Sequence, residues 1–193
     1  MLTRFRGPLP KLLGQYKIIP MIENRSHFAM ALASSQVNVL FLRHCNLFEL
    51  TTLLNQADRQ GKALYVNVDH IDGILPDAAG LRYLAGTCHI AGVVSNHPRT
   101  LALAKDFGLE TIQRIFAADS SGLEMAVESI DTRYVDLLDF SPALAIPHVI
   151  PFLDEPLPLP FVAYGLVHTA QQVWDVLRSG AIGVAVNRPE LWQ

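Results

Sequence analysis

The chain has 193 residues, half of them hydrophobic and 17% charged, with a formal net charge of −3. That length fits one ordinary domain, and that apolar content supports a sizeable core and excludes an intrinsically disordered chain. Residues 1–22 carry Arg4, Arg6, Lys11 and Lys17 without an acid (+4), which leaves eleven basic and eighteen acidic residues (−7) for the remainder. A body this acidic excludes broad phosphate neutralisation along duplex nucleic acid, where each contacted phosphate needs a Lys or Arg beside it.

Residues 1–17 are basic and interrupted by Gly7, Pro8, Pro10 and Gly14, without the apolar stretch of a secretory signal. They read as a solvated N-terminal extension, with contact to a phosphate backbone as the alternative, and the domain proper is expected over 18–193. No apolar run reaches ~18 residues, so no membrane span is expected and the expected compartment is the cytoplasm. Cys45 and Cys88 make neither a disulfide framework nor a metal-ligand spacing.

Short apolar runs then alternate with helical stretches. The runs are KIIPMI (17–22), VNVLFL (37–42), ALYVNVD (63–69), IAGVVS (90–95), TIQRIFA (111–117), RYVDLL (133–138), PFVAYG (160–165) and IGVAVN (182–187). Most are apolar throughout rather than alternating, as strands buried on both faces of a parallel sheet are. Between them, NRSHFAMALASS opens with an Asn cap, and NLFELTTLLNQADRQG has apolar residues at Leu47, Leu50, Leu53, Leu54 and Ala57 and stops at Gly61. PRTLALAKDFG starts with Pro and ends at Gly108, SSGLEMAVESI suggests a Ser cap with Glu124 three residues after Ser121, and TAQQVWDVLRSG runs from Thr169 to Gly180. Residues 70–88 begin as a loop and turn helical; residues 139–160 hold six of the twelve prolines and allow only a short helix near 142–146. Eight strands at roughly 20–27-residue spacing, one βα unit each, predict a single-domain α/β fold: a compact (β/α)8 TIM-like barrel with short loops and outer helices.

In such a barrel the site lies at the C-terminal ends of the strands. That selects Arg43 and His44; Asp69, His70 and Asp72; Ser95, Asn96 and His97; Asp119 and Ser120; Asp136 and Asp139; Tyr164, Gly165 and His168; and Asn187 with Arg188. Polar residues inside apolar strands need partners when buried, so Asn67, Asp69, Gln113, Arg114 and Asp136 stand out. Arg114 and Asp136 lie on neighbouring strands and are expected to form a buried charge pair, either fixing the interior or orienting a small ligand. Gly165 and Asn187-Arg188 occupy the loops after strands 7 and 8, the phosphate-binding position of this fold. His44, His70, His97 and His168 gather with Asp69 at the mouth, but no His-x-His or HExxH accompanies them, so neither a metal nor a cofactor is expected. Trp174 and Trp192 read as packing residues, and both cysteines as inert.

Four stretches resemble the glycerol-3-phosphate-responsive antiterminator family. VNVDHIDGI (66–74) is similar to its His/Asn-Val-Asp-Leu-Ile-x-Gly-Ile, and TIQRIFAADSSGLE (111–124) to its Ile-Gln-Arg-Leu-Phe-x-x-Asp-Ser/Thr-x-Ala-Leu-Glu. RYVDLL (133–138) resembles its Tyr-Ile-Glu-Val-Leu, and residues 160–192 follow its closing Pro-Ile-x-Ala-Gly-Gly…Leu-Trp pattern. The resemblance spans 18–192. It implies a TIM-like barrel, a regulator without catalytic turnover, glycerol 3-phosphate as effector at the mouth and leader mRNA as partner, so that glycerol uptake and metabolism genes escape transcription termination. Carried over by position, it assigns ligand binding to Asp69, Gly73, Arg114, Asp119, Ser120, Asp136 (in place of the family's Glu) and Gly165, which Asn187 and Arg188 join from the fold argument. In place of the family's Gly-Gly stands Tyr164-Gly165, and in place of Leu-Pro-Gly after strand 6 stands Leu138-Asp139-Phe140.

Two other readings stay open. One is a barrel enzyme acting on a small phosphorylated metabolite, with Asp69 or Asp136 as acid/base and Arg114 or Arg188 holding the anion. The other is a degenerate paralogue without ligand, its mouth filled by Tyr164 and Phe140. Self-association into a homo-oligomer is how a barrel this small would cover an exposed face.

Overall fold

The structure, a computed structural model, describes residues 7–192. Eight parallel strands close into a barrel: β1 (Ile18–Ile22), β2 (Val39–Leu42), β3 (Ala63–Asn67), β4 (Gly92–Ser95), β5 (Glu110–Phe116), β6 (Leu137–Ser141), β7 (Phe161–Tyr164) and β8 (Gly183–Val186). Each pairs with the next, and β8 closes on β1 through Ile18↔Val184 and Ile19↔Ala185. Seven of the eight strands were expected within a few residues of these bounds. β6 is displaced: Asp136 precedes it, and Asp139 and Ser141, expected beyond it, lie in it. The run Val135–Ile146 is apolar enough to seat a strand at either end, and the barrel register selects the later one, Arg114 lying opposite Asp139.

Alternation along each strand separates two cores. Val39, Phe41, Ala63, Tyr65, Ile112, Leu137, Val162 and Ala185 fill the lumen, while Leu40, Leu42, Leu64, Val66, Leu138, Phe140, Ala163 and Val184 meet the helices outside. Phe140 therefore packs outward, against Phe161, and does not fill the mouth.

The outer layer comprises α2 (Arg25–Ala33), α3 (Leu47–Arg59), α4 (Ala78–Tyr83), α5 (Pro98–Asp106), α6 (Ser120–Glu128), the single turn α7 (Ile146–Val149) and α8 (Ala170–Arg178), preceded in the chain by α1 (Leu9–Leu13). Their starts carry sequence-encoded caps. Asn46 accepts from the Glu49 N–H at 2.9 Å, Asn24 from His27 at 2.9 Å, and Thr169 with Gln172 forms a capping box. α6 is capped by Asp119 rather than by Ser121, its carboxylate accepting the Gly122 N–H at 2.7 Å. A π-helical turn (Leu84–Cys88) extends α4. No helix among the described residues is long and apolar enough to cross a membrane.

Two economies let so short a chain close. A three-residue turn, Pro189–Leu191, follows β8, and Trp192 folds back to donate its indole N–H to the Val186 carbonyl at 3.0 Å. Trp192 is buried, whereas Trp174, expected to pack, is exposed on α8. The second economy is α1, which plugs the lumen from below. Leu9 and Leu13 are buried in the lumen core, so the expected solvated extension is a packed element from residue 9 onward; residues 1–6 lie outside the described residues. A remote residue supplies its cap: the Leu9 N–H donates to both carboxylate oxygens of Glu110, at 3.1 and 3.0 Å, and the Tyr65 hydroxyl donates to the same group.

The plug yields two predictions. Leu9→Ala removes a fully buried side chain and is expected to cost about 2–5 kcal/mol, measured by urea denaturation. Burial raises the Glu110 carboxyl above the ordinary glutamate range. Its contribution is therefore fully present below the unfolded-state value and is lost as pH rises through the raised one. Glu110→Gln, with no proton to lose, is expected to flatten that fall; parallel pH profiles of the urea midpoint for both proteins would refute it.

Candidate ligand site at the barrel mouth

The lumen changes character toward the C-terminal ends of the strands. On the faces that continue Ile112, Leu137 and Val162 stand Arg114, Asp139, Ser141 and Tyr164. Arg114 and Asp139 are both buried, at 7% and 0% side-chain exposure, and both Arg114 contacts fall on Asp139 Oδ2: Nε at 2.8 Å and a terminal nitrogen at 2.7 Å. Tyr164 lies over this pair. Its ring is faced by two guanidinium groups, Arg114 at 5.4 Å and Arg43 at 5.3 Å from the centroid. Its hydroxyl accepts from Arg43, which also pairs with Glu23 at 3.2 Å; Glu23 in turn accepts from the Asn187 amide at 3.1 Å. Burial raises the Tyr164 phenol, so the hydroxyl keeps its proton at neutral pH.

Above this column lies a cleft of about 520 Å³, lined by Arg43, Ser141, Tyr164, Gly165, Asn187 and Arg188 among others. Gly165 is at φ +106° and Leu166 at +63°, a left-handed pair that turns the chain back from β7. An added Gly165 Cβ would lie 3.4 Å from the Ser141 hydroxyl and 3.6 Å from Pro142, ordinary contact distances, so it is the backbone conformation that favours glycine. A larger hollow of about 690 Å³ lies at the opposite end; of its charged groups, Lys105 pairs with Asp136, Glu110 holds Tyr65 and Leu9, and Lys62 donates to the Ser34 and Val37 carbonyls.

The nine residues expected to bind ligand separate into four groups. Gly165, Asn187 and Arg188 line the one cleft, and Arg114 lies in the polar layer below it. Asp69, Gly73, Asp119 and Ser120 are on mouth-side loops but do not line the cleft. Asp69 accepts one hydrogen bond on each oxygen, Oδ1 from the Ser95 hydroxyl at 2.7 Å and Oδ2 from the Asn96 N–H at 3.1 Å, and so ties the end of β3 to that of β4. Asp119 caps α6, and Ser120 is that helix's first residue. Asp136 is not at the mouth. It precedes β6, where it accepts from Lys105 and from the Thr111 N–H at 2.9 Å, so the expected Arg114–Asp136 pair is instead Arg114–Asp139.

The acid that β6 does carry, Asp139, stands three residues before Pro142 in Asp139-Phe140-Ser141-Pro142-Ala143. Arg43 and Tyr164 were selected as mouth residues but not as ligand-binding ones, and Glu23 and Ser141 were missed; each ends or immediately follows a strand. His44 and His70 stand with ring centroids 4.8 Å apart, yet no group of three or more His, Cys, Asp or Glu among the described residues is arranged to hold a metal ion. Cys45 is buried, its thiol pushed up to about 12 by desolvation, the opposite of a nucleophile.

The model of the family "Glycerol-3-phosphate responsive antiterminator" matches residues 18–192. The chain belongs to that family. The antiterminator structure from Listeria monocytogenes, described as a glycerol uptake operon antiterminator regulatory protein, superposes with a TM-score of 0.85 at 26% identity, covering 93% of this chain and 96% of that one. A glycerol uptake operon antiterminator-related protein from Thermotoga maritima has the same fold, with a TM-score of 0.79 at 22% identity over 91% and 97% of the two chains. Among curated proteins, the uncharacterized YgcP of Escherichia coli K12 is 20% identical over 185 residues, 96% of each chain. The antiterminator family is regulatory rather than catalytic, which sets aside the barrel-enzyme reading.

The buried pair predicts a double-mutant signature. Arg114→Met strands the Asp139 carboxylate in the lumen and is expected to cost about 3–5 kcal/mol, whereas Arg114→Met with Asp139→Leu removes both charges and is expected to regain most of it. Urea midpoints of the two variants test this; a double variant no more stable than the single one would contradict it.

Proposed function

We propose that this protein is a glycerol-3-phosphate-responsive transcription antiterminator that acts on leader mRNA of glycerol uptake and metabolism genes. Membership of the family supports the class of function, and the cleft between the ends of β7 and β8 is the observation that carries the effector. It offers a small phosphomonoester the left-handed Gly165-Leu166 backbone on one side and Asn187-Arg188 on the other. Backbone N–H groups and one guanidinium are the donors a phosphate selects.

The acidic body suits single-stranded RNA better than duplex. Unpaired bases are held by stacking and edge contacts, which need fewer cations. Phe48, in the first turn of α3, and Phe116, at the end of β5, present exposed rings on the mouth side of the barrel. The reading as a paralogue without ligand draws on Tyr164 alone, since Phe140 faces away from the mouth.

Isothermal titration with glycerol 3-phosphate, inorganic phosphate and glycerol tests the effector. Saturable binding that prefers glycerol 3-phosphate is expected, and Gly165→Ala, strained at φ +106°, is expected to weaken it by about tenfold or more. In a termination assay on the cognate leader, the liganded protein is expected to raise read-through. No binding to the wild type, with binding gained in Tyr164→Gly, would favour the paralogue instead.

A further inference from the structure

Asp139 is left half-satisfied. Both Arg114 contacts fall on Oδ2, and Oδ1 has no hydrogen-bond partner although the side chain is wholly buried. A buried carboxylate oxygen is stabilised by a hydrogen-bond donor, and the Tyr164 ring, packed on Arg114, lines the cleft where Arg114 and Asp139 themselves do not. Ser141, on the same lumen face two residues further along β6, lines that cleft. Two residues of strand span roughly 7 Å, the reach of a three-carbon chain with a phosphate at one end.

We propose that Asp139 Oδ1 accepts a hydrogen bond from a hydroxyl of a small phosphorylated polyol whose phosphate occupies the β7–β8 cleft, and that the Tyr164 ring is the gate that must swing off Arg114 to admit it. The proposal rests on the effector reading above and adds the half of the site that reads the polyol. The charge pattern selects this ligand class. Asp139 accepts and cannot donate when ionised, so it favours hydroxyls and disfavours a second carboxylate or phosphate; the cations of the cleft itself are at the rim, Arg43 paired with Glu23 and Arg188 with Glu190, and the anionic end of the ligand competes with those carboxylates for them. The gate is held by its hydroxyl, tethered to Arg43 and within 3.5 Å of Glu23. Opening it releases Arg43 from the phenol beside the incoming phosphate, so occupation of the floor changes the hydrogen bonding of the rim. Tyr164 acts here as a positioning residue and Asp139 as a ligand-contacting one.

The test is titration calorimetry on the full chain with glycerol 3-phosphate and inorganic phosphate, for wild type, Asp139→Asn and Tyr164→Phe. It is paired with ¹⁹F NMR of fluorotyrosine-labelled protein, in which the resonance missing from Tyr164→Phe identifies Tyr164. The wild type is expected to bind glycerol 3-phosphate at least about tenfold tighter than inorganic phosphate. Asp139→Asn should shrink that preference to within about threefold, and Tyr164→Phe, with the ring kept and the tether cut, should bind glycerol 3-phosphate a few-fold tighter. The Tyr164 resonance should move with glycerol 3-phosphate and stay with phosphate. A folded Asp139→Asn that keeps the wild-type preference, or a Tyr164 resonance that responds alike to both ligands, overturns the subsite and the gate while the effector reading stands. If Asp139→Asn does not fold, the resonance and Tyr164→Phe decide. A wild type that binds neither ligand overturns the effector reading itself, and the subsite with it.

Discussion

An eight-stranded parallel barrel encloses a lumen that side chains must fill, and how this short chain fills it determines both its stability and its site. Strands of four to seven residues place only a few side chains each inward. At the lower end the apolar supply is completed from outside the sheet: α1 inserts Leu9 and Leu13 beneath Phe41, Tyr65 and Ile112. Its first free N–H is taken by Glu110 at the start of β5, so the plug is fixed to the barrel by a hydrogen-bonded acid as well as by apolar contact. The upper end is filled instead by a charged pair and an aromatic ring.

The upper filling is tolerable because charge alternates along it. Asp139, Arg114, the Tyr164 ring face, Arg43, Glu23 and Asn187 follow one another from the lumen floor to the rim, each next to a group of opposite polarity. Replacing water around two buried ions costs several kcal/mol each, and the mutual attraction of a well-oriented pair offsets much of it only if the remaining polar atoms are also met. The column meets most of them. Two buried atoms of the column are left without a partner, Arg43 Nε toward the rim and Asp139 Oδ1 at its foot, and the unmet acceptor belongs to its wholly buried residue.

The barrel itself was legible because its signals are local and repeated: apolar runs at βα spacing, Asn and Thr caps, glycine stops. What was not legible depended on register. Tyr134-Val135 and Leu137–Phe140 are equally strand-like, and choosing the former carried Asp136 into the lumen and moved Asp139 outside it. Strand alternation then turned a small displacement into a wrong charge partner for Arg114, which only the pairing across β5 and β6 corrects. The N-terminal plug failed for another reason. LPKLL is too short and too basic to stand out as a core element, and its burial is decided by a carboxylate 101 residues away. Asp69 and Asp119 were rightly expected near the mouth, but sequence does not tell a carboxylate consumed by a hydroxyl, a backbone amide or a helix cap from one free for a ligand.

That distinction also separates binding from chemistry. A general base needs a carboxylate or imidazole with a lone pair turned toward a substrate and a proton route away from it. At this mouth Asp69 accepts from Ser95 and Asn96, Asp119 from the start of α6, and Glu23 from Arg43 and Asn187, while Tyr164 is raised away from ionising. Asp139 is wholly buried and paired with Arg114 through Oδ2. Groups so arranged can recognise a ligand, and the free energy of recognition is then available to shift one arrangement of the rim against another, since a ligand moves an equilibrium only by its difference in affinity for the two states. In a regulator that difference has to sit where the ligand touches something that can move. Here the ring over Arg114, tied to the rim by one hydroxyl, is the element that satisfies both conditions.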